Sequence, residues 1–224
     1  MTVYIEKTAV NLREELASLR NQGGYQEQQF YFDGLVTNGT FDVGTTGWTP
    51  TEGASLSVVS GALRITDADF GYAHQDVQTV IGRSYKVFLT GVGKGSGADN
   101  YYLQLGTTAN KVAIGSNVLG TSDGDFEVSF VAISSVTRVT LAFGSTGGYA
   151  DFDNVSVFEV DANDDVIHTM PKGWKPKDVF EDGLLQREGA AHDYEVVYDG
   201  FDYVIKPTVA PSATTQTCVI GVKA

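Results

Sequence analysis

The 224 residues carry a formal net charge of −13, with 26 glycines, 11% aromatic and 19% charged side chains. That acidity is spread along the chain with no basic arm, which argues against a nucleic-acid partner, whose affinity depends on Lys and Arg displacing counterions. No run approaches the ~18 apolar residues of a membrane span, the opening residues lack the apolar h-region of a signal peptide, and a single Cys218 excludes an intrachain disulfide.

The first element in chain order is the one good helix candidate, "TAVNLREELASLR". Leu12, Leu16 and Leu19 recur at i, i+4 and i+7, while Arg13, Glu14 and Arg20 face water. Thr8 or Asn11 caps its start and Gly23-Gly24 stops it. So short a helix needs a surface on which to dock its leucine stripe, either its own domain or a partner subunit.

Phe30–Phe32 then reads as a strand followed by an Asp33-Gly34 turn. From Leu35 to about Val160 the pattern becomes alternating strands parted by Gly, Asp, Asn and Ser, such as "YKVFLTG", "NYYLQLG", "DFEVSFVAI" and "FDNVSVFEV". Tyr85, Val87 and Leu89 share one face, as do Phe126, Val128 and Phe130. In "DNYYLQL" the same alternation sets Tyr101, Leu103 and Leu105 on one face and Tyr102 and Gln104 on the other. Strands of this spacing with no helices between them predict a two-sheet antiparallel sandwich.

The remainder is again β in character. "VFEDGLLQ" and "YEVVYDGFDYVI" each centre on an Asp-Gly pair of the kind tight hairpins use, Asp182-Gly183 and Asp199-Gly200. Cys218 lies in a final alternating strand and reads as a small buried hydrophobe. Between sandwich and tail, "DANDDVIHTMPKGW" restarts strand-like sequence at Val166–Met170.

Were 35–160 removed, "QQFYFDG" would run into "DDVIHTMPKGW". This suggests a nested, mainly β architecture. A host made of 1–34, with its helix and first strand, and 161–224, a small β-domain, carries 35–160 as an inserted sandwich. It predicts that Phe30–Phe32 pairs with Val166–Met170. The competing arrangement is three units in a row.

Two stretches resemble known families. "LVTNGTFDVGTTGWTP", "GALRIT", "YKVFLTG" and "GYADFDNVSVFEV", in that order, resemble the jelly roll of carbohydrate-binding modules. The segment "VF-DG-LQREG-DYEV…I…AP…V" is similar to a β-module of tailed-bacteriophage head fibres, tail fibres and other virion surface proteins. The first resemblance implies candidate ligands for a structural calcium ion, Asp42 and Asp153, which otherwise read as a turn residue and a strand-end cap.

For sugar contact the candidates are Trp48, Tyr72, Tyr101 and Tyr102 with Gln104, Asp99 and Asn100 as polar companions. Trp48 reads first as core, and the tyrosine pair serves equally well as an interface.

No catalytic constellation emerges. His74, His168 and His192 are scattered, no Ser sits in a nucleophile elbow, and "GVGKGSG" reads as a loop with its Lys misplaced for a phosphate cradle. Carboxylate pairs such as Asp123/Asp125 and Asp164/Asp165 read as turn residues.

The expectation is therefore a non-enzymatic structural protein of a tailed-phage virion, a head decoration or head fibre, assembled with other virion proteins. It is a homo-oligomer, most simply a trimer, with Leu12, Leu16 and Leu19 as anchoring residues and weak adhesion to a host glycan. The alternatives are a tail-fibre receptor binder or free carbohydrate-binding module, and a hydrolase of surface sugars.

Overall fold

The computed structural model describes residues 27–223, apart from 33, 52, 68, 69, 97, 146, 147, 190–192, 199, 201, 213 and 214. The proposed helix with Leu12, Leu16 and Leu19 lies outside the described residues, as do Asp33, His192 and Asp199. The described residues form strands joined by turns. In chain order these are β1 (Glu27–Tyr31), β2 (Thr49–Thr51), β3 (Ser55–Val59), β4 (Ala62–Asp67), β5 (Gly71–Gln78) and β6 (Ser84–Lys94). There follow β7 (Ala98–Gly106), β8 (Gly115–Gly120), β9 (Gly124–Val131), β10 (Val136–Ser145), β11 (Gly148–Val160) and β12 (Val166–Thr169). The last are β13 (Trp174–Glu181), β14 (Leu184–Leu185), β15 (Tyr194–Tyr198), β16 (Tyr203–Pro207) and β17 (Thr217–Lys223).

Two antiparallel sheets face each other as a sandwich. One runs β2-β5-β10-β7-β8; the other is built on the long β11, with β4 and then β3 on one edge and β6 and then β9 on the opposite edge. Alternation fills the space between them. Tyr85, Val87 and Leu89 of β6 meet Leu103 and Leu105 of β7 and Val139, Leu141 and Phe143 of β10 in one core, with Phe126 and Val128 packed against it.

β11 contributes Phe152, Val155 and Val157 to that core, a spacing that strict alternation forbids. A bulge between Asp153 and Ser156, with Asn154 at φ 51°, resets the phase. Beyond the bulge, Ser156 and Phe158 point away from the sandwich, and Phe158 joins Val160 and Val166 in a separate small cluster.

The end of β11 also carries the rest of the chain. β12 pairs with it through Glu159↔Ile167 and Val160↔Val166, and β16 and β15 extend the sheet further. A four-stranded sheet, β1-β17-β13-β14, packs against that extension around Met170, Val179, Ile205 and Val219, joined by Phe30, Phe32 and Trp174. The Asp182-Gly183 hairpin forms as its residues predict, with both at positive φ (49° and 79°) between Glu181 and Leu184. β15 and β16 form the second hairpin, from Tyr194↔Pro207 to Tyr198↔Tyr203.

The predicted pairing of Phe30–Phe32 with Val166–Met170 is not what forms. β1 pairs with β17, Phe30 opposite Val219 and Tyr31 opposite Cys218, and the Phe32 amide donates to the Thr217 carbonyl at 2.8 Å. The edge of β12 is taken by β16 on one side and β11 on the other, and closing the short 161–165 turn costs little loop entropy. Asp161 holds that turn by accepting from the amides of Asn163 (2.8 Å) and Asp165 (3.2 Å). Phe32 reaches β12 only by side chain, its ring 5.3 Å from that of His168.

A second correction concerns "GVGKGSG": Gly91–Lys94 continues β6 as strand. Lys94 donates to the carbonyls of Asp99 and Thr121.

The opening segment fills the gap that β4 and β12 leave along β11. The Leu35 amide donates to the Val157 carbonyl and the Val155 amide to the Gly39 carbonyl. Gln75 clamps the same segment from the facing sheet, accepting from the Thr37 amide at 2.6 Å and donating to the Thr37 carbonyl at 2.9 Å.

Candidate functional site

The outer face of the sheet β2-β5-β10-β7-β8 is laid out by register. One row across it reads Thr51, Tyr72, Ala142, Tyr102 and Val118. The next reads Thr49, His74, Thr140, Gln104 and Ser116, and a third holds Asp76, Arg138 and Gly106. The alternate residues of these strands, among them Ala73, Leu103 and Leu141, point inward to the core. A polar strip with a tyrosine on either side of its Ala142–Thr140 centre therefore faces away from the sandwich.

The connection from β7 to β8 folds back over this strip. The Thr107 amide donates to the Asn110 carbonyl at 2.8 Å, and a Cβ at residue 106 would meet that carbonyl at 2.1 Å. Only glycine lets the loop lie so close to the strand. Farther along, Lys111 sets its Nζ 3.5 Å from the centre of the Tyr72 ring. The result is a recess of about 220 Å³ between Thr51, His74, Arg138 and Thr140 below and Thr108 and Lys111 above.

Its electrostatics are mixed. Arg138 binds Asp76 through two hydrogen bonds of 2.7 and 2.9 Å, which keep the Asp76 carboxyl below the usual carboxylate range. His74 is held below its ordinary value, first by burial and then by the charge of Arg138. A neutral imidazole, able to donate at one nitrogen and accept at the other, thus lines the recess at neutral pH.

Two atoms at the centre of the strip lack partners. Thr140 is 1% exposed, and neither its Oγ1 nor the Oε1 of the adjacent Gln104 has a hydrogen bond. Leaving a buried polar group unsatisfied costs about 1–3 kcal/mol, so folds seldom keep two side by side. Of the two residues, Thr140 borders the recess.

The structure divides the sugar-contact candidates. Tyr72, Tyr102 and Gln104 come together on this face, with the half-buried Tyr102 ring lying 2.7 Å from where a Cβ on Gly144 would be. Tyr101 and Trp48 do not join them. Tyr101 is 0% exposed, packs on Phe152 and Phe126, and donates to Asp123 Oδ1 at 2.6 Å. Burial first, and then that carboxylate, push its hydroxyl pKa upward. Trp48, 5% exposed, leans on Phe41 and donates from Nε1 to the Asn38 carbonyl at 3.3 Å.

Neither ring offers a face to a sugar. Asn100 lies one row beyond Tyr102, opposite Gly144, and Asp99 is exposed beside it. His74, Thr140, Arg138 and Lys111 escape a reading of the sequence because strand order and the fold-back of the β7–β8 connection assemble them. The alternation of "GYAHQDVQ" puts His74 and Tyr72 on one face but says nothing of what lies across the sheet.

The two calcium candidates do become neighbours. Asp153 is held above the usual carboxylate range, by burial first and then by the charge of Asp42. Asp42 accepts from Thr40 Oγ1 at 2.6 Å, and Asp153 from the Asn154 amide at 2.8 Å. Among the described residues no group of three or more His, Cys, Asp or Glu is arranged to hold a metal.

Asp125 accepts from Thr90 at 2.7 Å, and Asp164 binds Lys86 and Ser129.

No family model matches the sequence, and no curated protein does. The solved structures it resembles include carbohydrate-binding modules and a phage tailspike domain. A family 4 carbohydrate-binding module aligns at 15% identity and a TM-score of 0.47, over 55% of this chain and 99% of that one. A module solved with β-1,4-galactotriose gives 13%, 0.43, 57% and 99% in the same order. The enzymatically active domain of tailspike protein 4 of bacteriophage CBA120 gives 11% and 0.44 over 57% of this chain, which spans only 21% of that protein.

Proposed function

We propose that the chain is a glycan-binding surface protein that takes up a saccharide on the outer face of the β2-β5-β10-β7-β8 sheet. One observation carries the reading: the unpartnered Gln104 Oε1 and Thr140 Oγ1 lie side by side beneath a loop, flanked by Tyr72 and Tyr102. Sugars present hydroxyls along their edge and C–H groups on their face, so amide and hydroxyl partners between aromatic rings suit them.

Tyr102 stacks on the sugar, Gln104 and Thr140 bond its hydroxyls, and His74 bonds a further one. The role is binding, not catalysis. Glycan-array binding that falls at least tenfold in Tyr102→Ala supports it, and binding unchanged by that substitution overturns it.

The setting we propose is the surface of a tailed-phage virion, with the protein as a head decoration or head fibre and an oligomer, most simply a trimer. The sequence resemblance of the C-terminal segment 174–224 to phage surface modules favours this over a free module or a tail-fibre receptor binder. The pairing of β1 with β17 supports an anchor built from both flanks of the sandwich, with 35–160 displayed from it. Electron microscopy of the source particle tests it, since absence of the protein from purified virions would refute the setting.

A further inference from the structure

The opposite side of the sandwich holds a second groove. The outward faces of β6, β9 and β11 form its floor, and Ala210–Ser212, from the connection between β16 and β17, forms one wall. Its volume of about 460 Å³ falls within the ~300–1,000 Å³ typical of small-molecule clefts.

The floor mixes an aromatic surface with acceptors. Phe88 is half-buried, its ring braced edge-on by Phe158 at 6.3 Å. Next to it Ser156 is 3% exposed, lines the groove, and its hydroxyl has no partner. Thr90 Oγ1 donates to Asp125 Oδ1 at 2.7 Å and accepts from Asn154 Nδ2 at 3.5 Å. Glu127, opposite Phe88, completes an acidic side whose nearest cation, Lys86, is 3.5 Å from Glu127 and 2.5 Å from Asp164.

We propose that this groove is a second saccharide site, selective for neutral or amino-bearing sugars over acidic ones. The half-buried Phe88 ring, with Lys86 Nζ 5.7 Å from its centre, offers apolar surface to the C–H face of a sugar ring. Asp125, Glu127 and Ser156 accept from its hydroxyls, and the Ser156 hydroxyl gains the partner it lacks in the protein alone. A uronate carboxylate would instead face two carboxylates of like charge. The site involves none of the residues assigned to the first face, so either can fail alone.

The test is a titration of the isotope-labelled full chain with methyl β-glucoside, glucosamine and glucuronate, each to about 50 mM, enough to reveal millimolar affinity. The expected result is shifts at Phe88, Thr90, Asp125, Asn154 and Ser156 with the first two sugars, and binding of glucuronate weaker by about tenfold, roughly 1.4 kcal/mol. Asp125→Asn, an exposed substitution, narrows that difference. Silence at these residues with all three sugars, or equal response to glucuronate, overturns the proposal. Shifts confined to Tyr102, Gln104 and Thr140 overturn it while leaving the first site standing; shifts confined to the second groove do the reverse.

Discussion

His168 makes the stability of this protein depend on mild acid. Its imidazole is 4% exposed, sits between the rings of Phe32 and Phe158, and leaves Nε2 without a partner. Burial pushes its pKa down to about 4 from 6.5. A group whose folded value is depressed below its unfolded one charges in the unfolded chain first. The neutral form's stability is therefore complete above pH 6.5 and is lost as pH falls from 6.5 toward 4.

At 1.36 kcal/mol per pH unit the full loss is about 3 kcal/mol, of which about 2 is gone by pH 5. Urea unfolding at pH 7 and pH 5, comparing the native chain with His168→Gln, isolates the contribution from that of the carboxylates. The native chain should lose about 2 kcal/mol more than the variant between the two pH values. Equal losses would mean instead that His168 is charged without penalty or is hydrated in the folded state.

Thr140→Val removes an unpartnered hydroxyl at constant shape, so unfolding should show no loss of stability, while saccharide affinity falls about five- to tenfold by titration calorimetry. Gly106→Ala forces the Asn110 carbonyl off the strand; about 1–3 kcal/mol of destabilisation in urea, together with lost saccharide binding, is expected. Calcium at millimolar concentration should raise the melting temperature of the native chain but not of Asp153→Asn, read by calorimetry, if Asp42 and Asp153 share an ion. Limited proteolysis should release a folded fragment close to 35–160, whereas cleavage throughout that span at equal rates would contradict the displayed-domain arrangement.

What the sequence disclosed is what local patterning can encode. Tyr85, Val87 and Leu89 announce their shared face through a period of two, and Asp182-Gly183 announces its turn through the φ values it tolerates. The same period separated Tyr102 and Gln104 from Tyr101, whose burial follows from standing in line with Leu103 and Leu105.

Partners distant in the chain left no such trace. "QQFYF" is equally able to pair with Val166–Met170 or with Thr217–Lys223, and it lies on β17 because both edges of β12 are taken by β11 and β16. The bulge at Asn154 was also invisible, because it swaps faces within a run that looks regular. For the same reason the central row His74, Thr140 and Gln104 could not be assembled from three strands whose order was unknown.

We propose that a saccharide satisfies the unpartnered atoms at the middle of the outer strip. The most direct measurement takes an oligosaccharide captured by the intact chain on a glycan array and maps it by NMR against native, Tyr102→Ala and Thr140→Val proteins. Shifts at His74, Tyr102, Gln104 and Thr140 and at least tenfold weaker binding by Tyr102→Ala are expected. Binding that leaves those residues unshifted, or an array with no glycan captured at all, would contradict it.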